Sequence, residues 1–153
     1  MFKKLKGVLF GDPRASAARK GDIPAMQALL DEGQDINGAL KGSDPALFHA
    51  AAAGQFEMVQ FLLDKGADVN GYTNAFKLTP LMMAASFGNE AVVRLLIAQG
   101  AEVNARDSAG NTPLDKSLEP TLGHDGSTTI TPEDKMETIT VIRDAGGVSG
   151  VSG

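Results

Sequence analysis

Residues 79–104 read TPLMMAASFGNEAVVRLLIAQGAEVN, and residues 45–70 read PALFHAAAAGQFEMVQFLLDKGADVN. The two stretches align end to end, and their markers recur along the chain. Gly21, Gly54 and Gly88 step by 33 and 34 residues, and so do Gly33, Gly66 and Gly100. Asn37, Asn70 and Asn104 repeat the same steps, and Pro80 and Pro113 lie 33 apart. Independent markers sharing one period predict a repeat architecture.

Each marker has a physical reading. Thr79–Pro80 and Thr112–Pro113 place an N-cap hydroxyl before a proline at the first helical position, where a missing N–H costs nothing. Alanines 50–53 and 84–85 let helices approach closely. Gly54 and Gly88 end a first, inner helix. A second, outer helix is expected to bury Val59, Leu62 and Leu63 in one unit and Val92, Leu95 and Leu96 in the next, at three- and four-residue spacing. Gly66 and Gly100 stop it. One such unit cannot bury its own faces, so the stack is the folding unit.

The Thr-Pro-Leu start, the Leu-Leu-x-x-Gly-Ala close and the Asp-Val-Asn ending resemble the ankyrin-repeat family over roughly residues 15–147. The resemblance implies an all-α solenoid of stacked helix–turn–helix units joined by short β-hairpin or loop connections. It implies one domain over 1–147, with repeats at about 14–40, 41–73, 74–106 and 107–147. Repeat one, ASAARKGDIPAMQALLDEGQDIN (15–37), lacks the Thr-Pro-Leu-His start. Arg14, Ser16, Arg19 and Lys20 in its inner helix suit the polar outer face of a terminal unit. Residues 1–13 are expected to form an N-terminal cap segment, and 148–153 (from the run GGVSGVSG) a flexible tail.

Composition narrows the function. The 153 residues are 42% hydrophobic and only 5% aromatic, which suits an aliphatic helical core. The chain has no cysteine, which removes disulfides, thiolate metal sites and cysteine nucleophiles. The net charge of −5 is uneven. Lys3, Lys4, Lys6, Arg14, Arg19 and Lys20 crowd the first 20 residues, and the acidic remainder disfavours nucleic acid. The start MFKKLKGVLFGDP has too short an apolar stretch for a signal peptide, and no apolar run is long enough to span a bilayer. A soluble, cytoplasmic chain, monomeric on its own, is the expectation. Phe2, Leu5, Val8 and Leu9 recur at helical spacing between lysines, so residues 1–10 form either a short helix over repeat one or a contact with anionic membrane.

Two irregularities break the period. GYTNAFKLTP (71–80) carries one extra residue, which lengthens the connection before repeat three. EPTLGHDGSTTIT (119–131) is an insertion between the two helices of repeat four, a loop long enough to be functional or disordered. Thr131–Pro132–Glu133–Asp134 then restarts a helix with Thr131 as N-cap.

The sequence offers little chemistry. There is no Gly-rich phosphate loop, and no metal or cofactor is expected. His49 reads as a packed or hydrogen-bonded structural histidine within a helix. His124–Asp125, with Ser127, Thr128 and Asp115 as candidate neighbours, has catalytic residue types but no rigid support or oxyanion hole, so no enzyme is expected. Asp35, Asp68 and Glu102 occupy equivalent positions and read as structural, and no calcium site is expected from them.

The resemblance instead implies an adaptor, inhibitor or immunity-type binder. Ankyrin proteins grip partners through hairpin tips and the outward side of the inner helices. Carried over by position, the tip before repeat three contributes Tyr72, Phe76 and Lys77, and the tip before repeat four Ser108, Ala109 and Asn111. The inner helices contribute Ala52, Ala53, Ser86 and Phe87. Phe76 and Phe87 read as exposed anchors, or else as a local cluster in which Phe76 folds back and Phe87 packs on its neighbour. The acidic body favours a partner with a basic surface.

Overall fold

The structure is a computed structural model that describes residues 11–38, 44–73 and 75–150. The expectations placed on residues 1–10 lie outside the described residues. Four helical pairs follow one another: α1 (Pro13–Lys20) with α2 (Ile23–Asp31), α3 (Ala46–Ala52) with α4 (Phe56–Asp64), α5 (Pro80–Ser86) with α6 (Glu90–Ala98), and α7 (Pro113–Leu118) with α8 (Met136–Asp144). The inner helices stack α1 on α3 on α5 on α7, and the outer helices stack α4 on α6 on α8. This is the expected all-α solenoid.

Small residues set the inner spacing. Ala18, Ala50, Ala51, Ala84 and Ala85 are wholly buried, so the inner helices meet through methyl groups. The outer helices supply the volume with Met26, Met58, Val59, Leu62, Val92, Val93, Leu96, Ile139 and Ile142. Leu63 and Leu95, expected in that set, are only partly buried, and Met58 and Val93 take the deeper positions. Truncating Leu96 to Ala would cost about 3 kcal/mol, because the close-packed stack cannot collapse around the hole.

Caps recur as the sequence predicts. Thr79 Oγ1 accepts from the Met82 amide at 3.2 Å, and Thr112 and Asp115 form a reciprocal box. Such a cap contributes about 1 kcal/mol. Repeat one departs from the expectation. Asp12 caps α1 and Pro13 opens it, so this pair stands where Thr79–Pro80 stands in repeat three, and residue 13 belongs to the repeat. Arg14 is not part of a polar outer face. It is 4% exposed, paired to Asp12 at 3.1 Å, and donates to the Asp35 carbonyl at 2.8 Å. Arg19 and Lys20 do face solvent.

An asparagine ladder ties each repeat to the next along one edge. Asn37 Nδ2 donates to the Gly66 carbonyl, and its Oδ1 accepts from the Asp68 amide. Asn70 bonds Gly100 and Glu102 in the same way. Asn104 bonds Gly146 and Val148. Asp35 and Asp68 accept from the amides two residues on, at Asn37 and Asn70, which is the structural role expected of them.

The third rung runs beyond Gly147. The Val148 carbonyl accepts from Thr112 Oγ1 at 2.7 Å, Ser149 Oγ donates to Asp115 at 2.6 Å, and the Gly150 amide donates to Asp115 at 2.8 Å. Residues 148–150, expected to be part of a flexible tail, are thus held on repeat four by these bonds. Residues 151–153 lie outside the described residues.

The 119–131 insertion is not structureless. Thr121–Leu122 (β1) pairs antiparallel with Thr129–Ile130 (β2), with Thr121 opposite Ile130 and Leu122 opposite Thr129. Thr131 and Asp134 then repeat the Thr112–Asp115 box, and a 3₁₀ turn (Glu133–Lys135) leads into α8. The chain restarts where expected, but through this turn, and the residue at the N-cap position of α8 is Lys135, which makes no side-chain capping bond, and not Thr131.

Candidate binding surface

The predicted surface residues fall on two separate edges. The first is the edge of the tips. Thr73, 4% exposed, donates its amide to the Leu78 carbonyl at 3.0 Å and accepts the Leu78 amide on Oγ1 at 3.2 Å. Lys77 absorbs the extra residue in a left-handed conformation, φ 54°, and its amide donates to the Thr73 carbonyl. That conformation costs a residue with a Cβ about 1 kcal/mol. The turn holds Tyr72 56% and Phe76 63% exposed. Ser108 donates its amide to the Phe76 carbonyl at 2.9 Å, so neighbouring tips brace each other.

The tip before repeat four is built around Asp107. Its carboxylate accepts the Ala109 and Asn111 amides, both at 2.9 Å, and pairs with Lys116 at 3.0 Å. Burial raises its pKa, but the Asn111 amide, Lys116 and the Ala109 amide outweigh that and hold the carboxyl below the usual aspartate range. Ser108 and Ala109 are exposed, and Asn111 is half-buried.

The second edge lies at the opposite ends of the inner helices, where the chain turns into the outer helices. Here the insertion folds back over the stack. His124 lies against Phe87, ring centroids 4.2 Å apart and planes 15° from parallel, and its Nε2 is 2.8 Å from the Ala52 carbonyl oxygen. Ser86 Oγ meets Thr121 Oγ1 at 3.3 Å. Phe87 is therefore not the exposed anchor the sequence suggested: it is half-buried beneath a ring of its own chain. Ala52 is only 9% exposed, with its side chain in the core, and Ala53 is half-buried.

Lys135 underlies this edge, and the sequence reading missed it. Its side chain is buried, and the ammonium donates to the Ser86 carbonyl at 2.9 Å, to Thr121 Oγ1 at 3.2 Å and to the Glu119 carbonyl. Burial lowers its pKa from the ordinary lysine value, while the Glu119 and Asp134 charges pull the other way. Its counterparts are Asn89, whose amide donates to the Ala51 and Ala52 carbonyls, and Gln55, which donates to the Arg19 carbonyl. Each of the three precedes the outer helix and reaches the end of the previous inner helix, which has no intrahelical partners of its own. A signal was present, since Gln55, Asn89 and Lys135 all stand eleven residues before a glycine (Gly66, Gly100, Gly146).

The carboxylates that the sequence offers beside His124 are engaged with other groups. Asp125 is occupied by the Ser127 and Thr128 amides and the Thr128 hydroxyl, bonds that hold its carboxyl well below the usual range. Asp115 bonds Thr112, Ser149 and Gly150 instead. His49 is half-buried at α3, and its Nε2 is buried with no hydrogen-bond partner among the described residues. Desolvation lowers its pKa, helped by Arg19 and opposed by Asp44 and Asp12. Among the described residues no His, Asp and Glu cluster could hold a metal, and no helix is long and apolar enough to cross a membrane.

Four helical pairs stacked in register, with glycines recurring every 33 or 34 residues as far as Gly100, define a helical-repeat solenoid. The family model described as Ankyrin repeats (3 copies) matches residues 15–107 and 68–124, and the chain belongs to the ankyrin-repeat family. No curated protein matches it. Ankyrin repeats are generally protein–protein interaction modules, and the family is typically non-enzymatic.

Proposed function

We propose that this chain is a protein-binding adaptor or inhibitor that engages its partner along the tip edge, with Tyr72 and Phe76 as anchors and Lys77, Ser108 and Ala109 around them. One observation carries the reading. Two large aromatic side chains stand more than half exposed on a turn that hydrogen bonds hold fixed. Exposed apolar rings are ordinary when scattered, but grouped on a rigid support they are what an interface core requires, because little conformational freedom is lost on binding. The acidic body favours a partner whose surface is basic around the pocket that takes the rings. Ala52 and Phe87 drop out as primary anchors, since the protein's own chain covers them.

The test is site-specific crosslinking in the cells that make the protein. A photoreactive phenylalanine analogue at position 76 should yield one dominant protein adduct. The same analogue at exposed Ala98, on the outer helix α6, should not. Adducts at 98 and none at 76 would move the interface to the outer helices.

A further inference from the structure

The 119–131 insertion has its own geometry, and that geometry points to a reversible cover. We infer that the tip of the hairpin, residues 122–129, is a lid latched by His124. It closes a small ring-accepting site made by the face of Phe87 and the carbonyl of Ala52.

Base and tip of the insertion are held differently. The base is clamped, because Glu119 and Thr121 supply two of the three acceptors of buried Lys135. The tip reaches the repeats through His124, whose ring stack and single hydrogen bond are its hydrogen-bond and ring contacts with them among the described residues. Leu122 at the tip is 59% exposed, so no buried apolar side chain anchors it there. Internally the tip is stiff. Asp125 gathers the Ser127 and Thr128 amides, and the Gly123 amide donates to the Thr128 carbonyl at 2.7 Å. A stiff flap on a clamped base with one latch moves as a unit.

The site beneath tolerates opening. A carbonyl oxygen accepts two hydrogen bonds, and that of Ala52 already accepts from Asn89 Nδ2 at 3.0 Å. Lifting His124 therefore leaves no orphaned acceptor. What it uncovers is the apolar face of Phe87, which favours the closed state and offers an open one to a partner. An acceptor beside a flat apolar face selects a flat ring carrying an N–H donor, which is the chemistry His124 itself supplies. In a protein partner that ring is the imidazole of histidine or the indole of tryptophan. The partner's use of the site rests on the binding function proposed above, whereas the latch does not.

Hydrogen exchange on the free protein tests the latch. Amides of residues 123–129 should exchange faster than those of α3 and α5. His124→Ala should speed them a further tenfold, roughly the effect of losing one hydrogen bond and one stack, and leave α3 and α5 unchanged. Phe87→Leu, which keeps the carbonyl bond and loses the stack, should fall between. Exchange that is equal in all three proteins, or that rises only together with the helices, would make the insertion a fixed part of the fold and overturn the inference.

The lid is tested by replacing residues 123–128 with Asn-Gly, which joins the paired Leu122 and Thr129 by a two-residue turn. This variant should bind the partner crosslinked at position 76 at least as tightly as wild type. Weaker binding would make the tip part of the contact surface and not its cover. The crosslinking at 76 reports separately on the interface, so the two ideas fail independently.

Discussion

In repeat three the chain passes from α5 to α6 through residues 87–89, while in repeat four it passes from α7 to α8 through residues 119–135. Both turns end on a side chain that reaches back to the previous inner helix. Asn89 does so as a half-buried neutral amide with two backbone acceptors. Lys135 does so as a buried cation, and it draws two further acceptors from the insertion itself. A long insertion has thus been accommodated without loosening the contact between repeats. The cost is dependence, because a buried ammonium is tolerable only while its acceptors stay in place.

Removing the cation is the strongest way to test that contrast. Lys135→Ala takes the ammonium donor from the Ser86 carbonyl, leaves the Glu119 carbonyl only the long bond from the Thr121 hydroxyl at 3.4 Å, and opens a gap over Gly88. It should lower stability by about 3 kcal/mol in urea unfolding. Asn89→Ala should cost about 1.5 kcal/mol. Equal losses would break the distinction between the two turns.

Two glycines give the next effect. Gly88 and Gly100 both have positive φ, but a Cβ at Gly88 would meet Lys135 Cγ at 2.8 Å, and one at Gly100 meets nothing within 4 Å. Gly100→Ala should cost about 1 kcal/mol from the backbone alone. Gly88→Ala should cost about 2 kcal/mol, and the excess should shrink when Lys135 is also alanine.

The N-terminal half contrasts with both turns through His49, whose buried nitrogen has no hydrogen-bond partner among the described residues. Its folded pKa is lowered from 6.5. The unfolded chain therefore binds a proton at higher pH than the folded one, and stability is full above 6.5 and falls as the pH drops below it. The slope should not exceed about 1.4 kcal/mol per pH unit. The buried carboxylates Asp107 and Asp115, also lowered, add their loss only as the pH falls below 3.8. His49→Leu should flatten the upper window and spare the lower one. An unchanged slope between pH 6.5 and 5 would remove His49 from the account.

Smallest of all, Tyr72→Asp with Phe76→Asp should shift stability by about 0.5 kcal/mol or less, since both side chains are exposed.

Much of this molecule was legible from its period. The glycines, the asparagines and the Thr–Pro pairs each answer a local need that recurs identically, so the array and its caps could be read before any contact was seen. Tyr72 and Phe76 were legible because an extra residue pushed them out on a turn. Phe87 was not, because its cover comes from His124, 37 positions away on a hairpin whose path no local pattern encodes. Lys135 was obscured because the insertion broke the count forward from Gly88. Counting back from Gly146 restores its register with Asn89. The run after Gly146 reads as a linker by composition, yet Asn104 and Asp115 needed the bonds that residues 148–150 supply.

The most direct test of the central claim, that the tip edge binds and the helix-turn edge is closed by the protein's own chain, is calorimetric titration of the crosslinked partner with three proteins. Wild type should bind. Tyr72→Asp/Phe76→Asp should lose about 100-fold or more in affinity, as expected for two anchoring rings. The Asn-Gly hairpin variant should bind as tightly as wild type or more so. Retained affinity in the double aspartate variant, together with loss in the hairpin variant, would contradict the account and place the interface on the insertion.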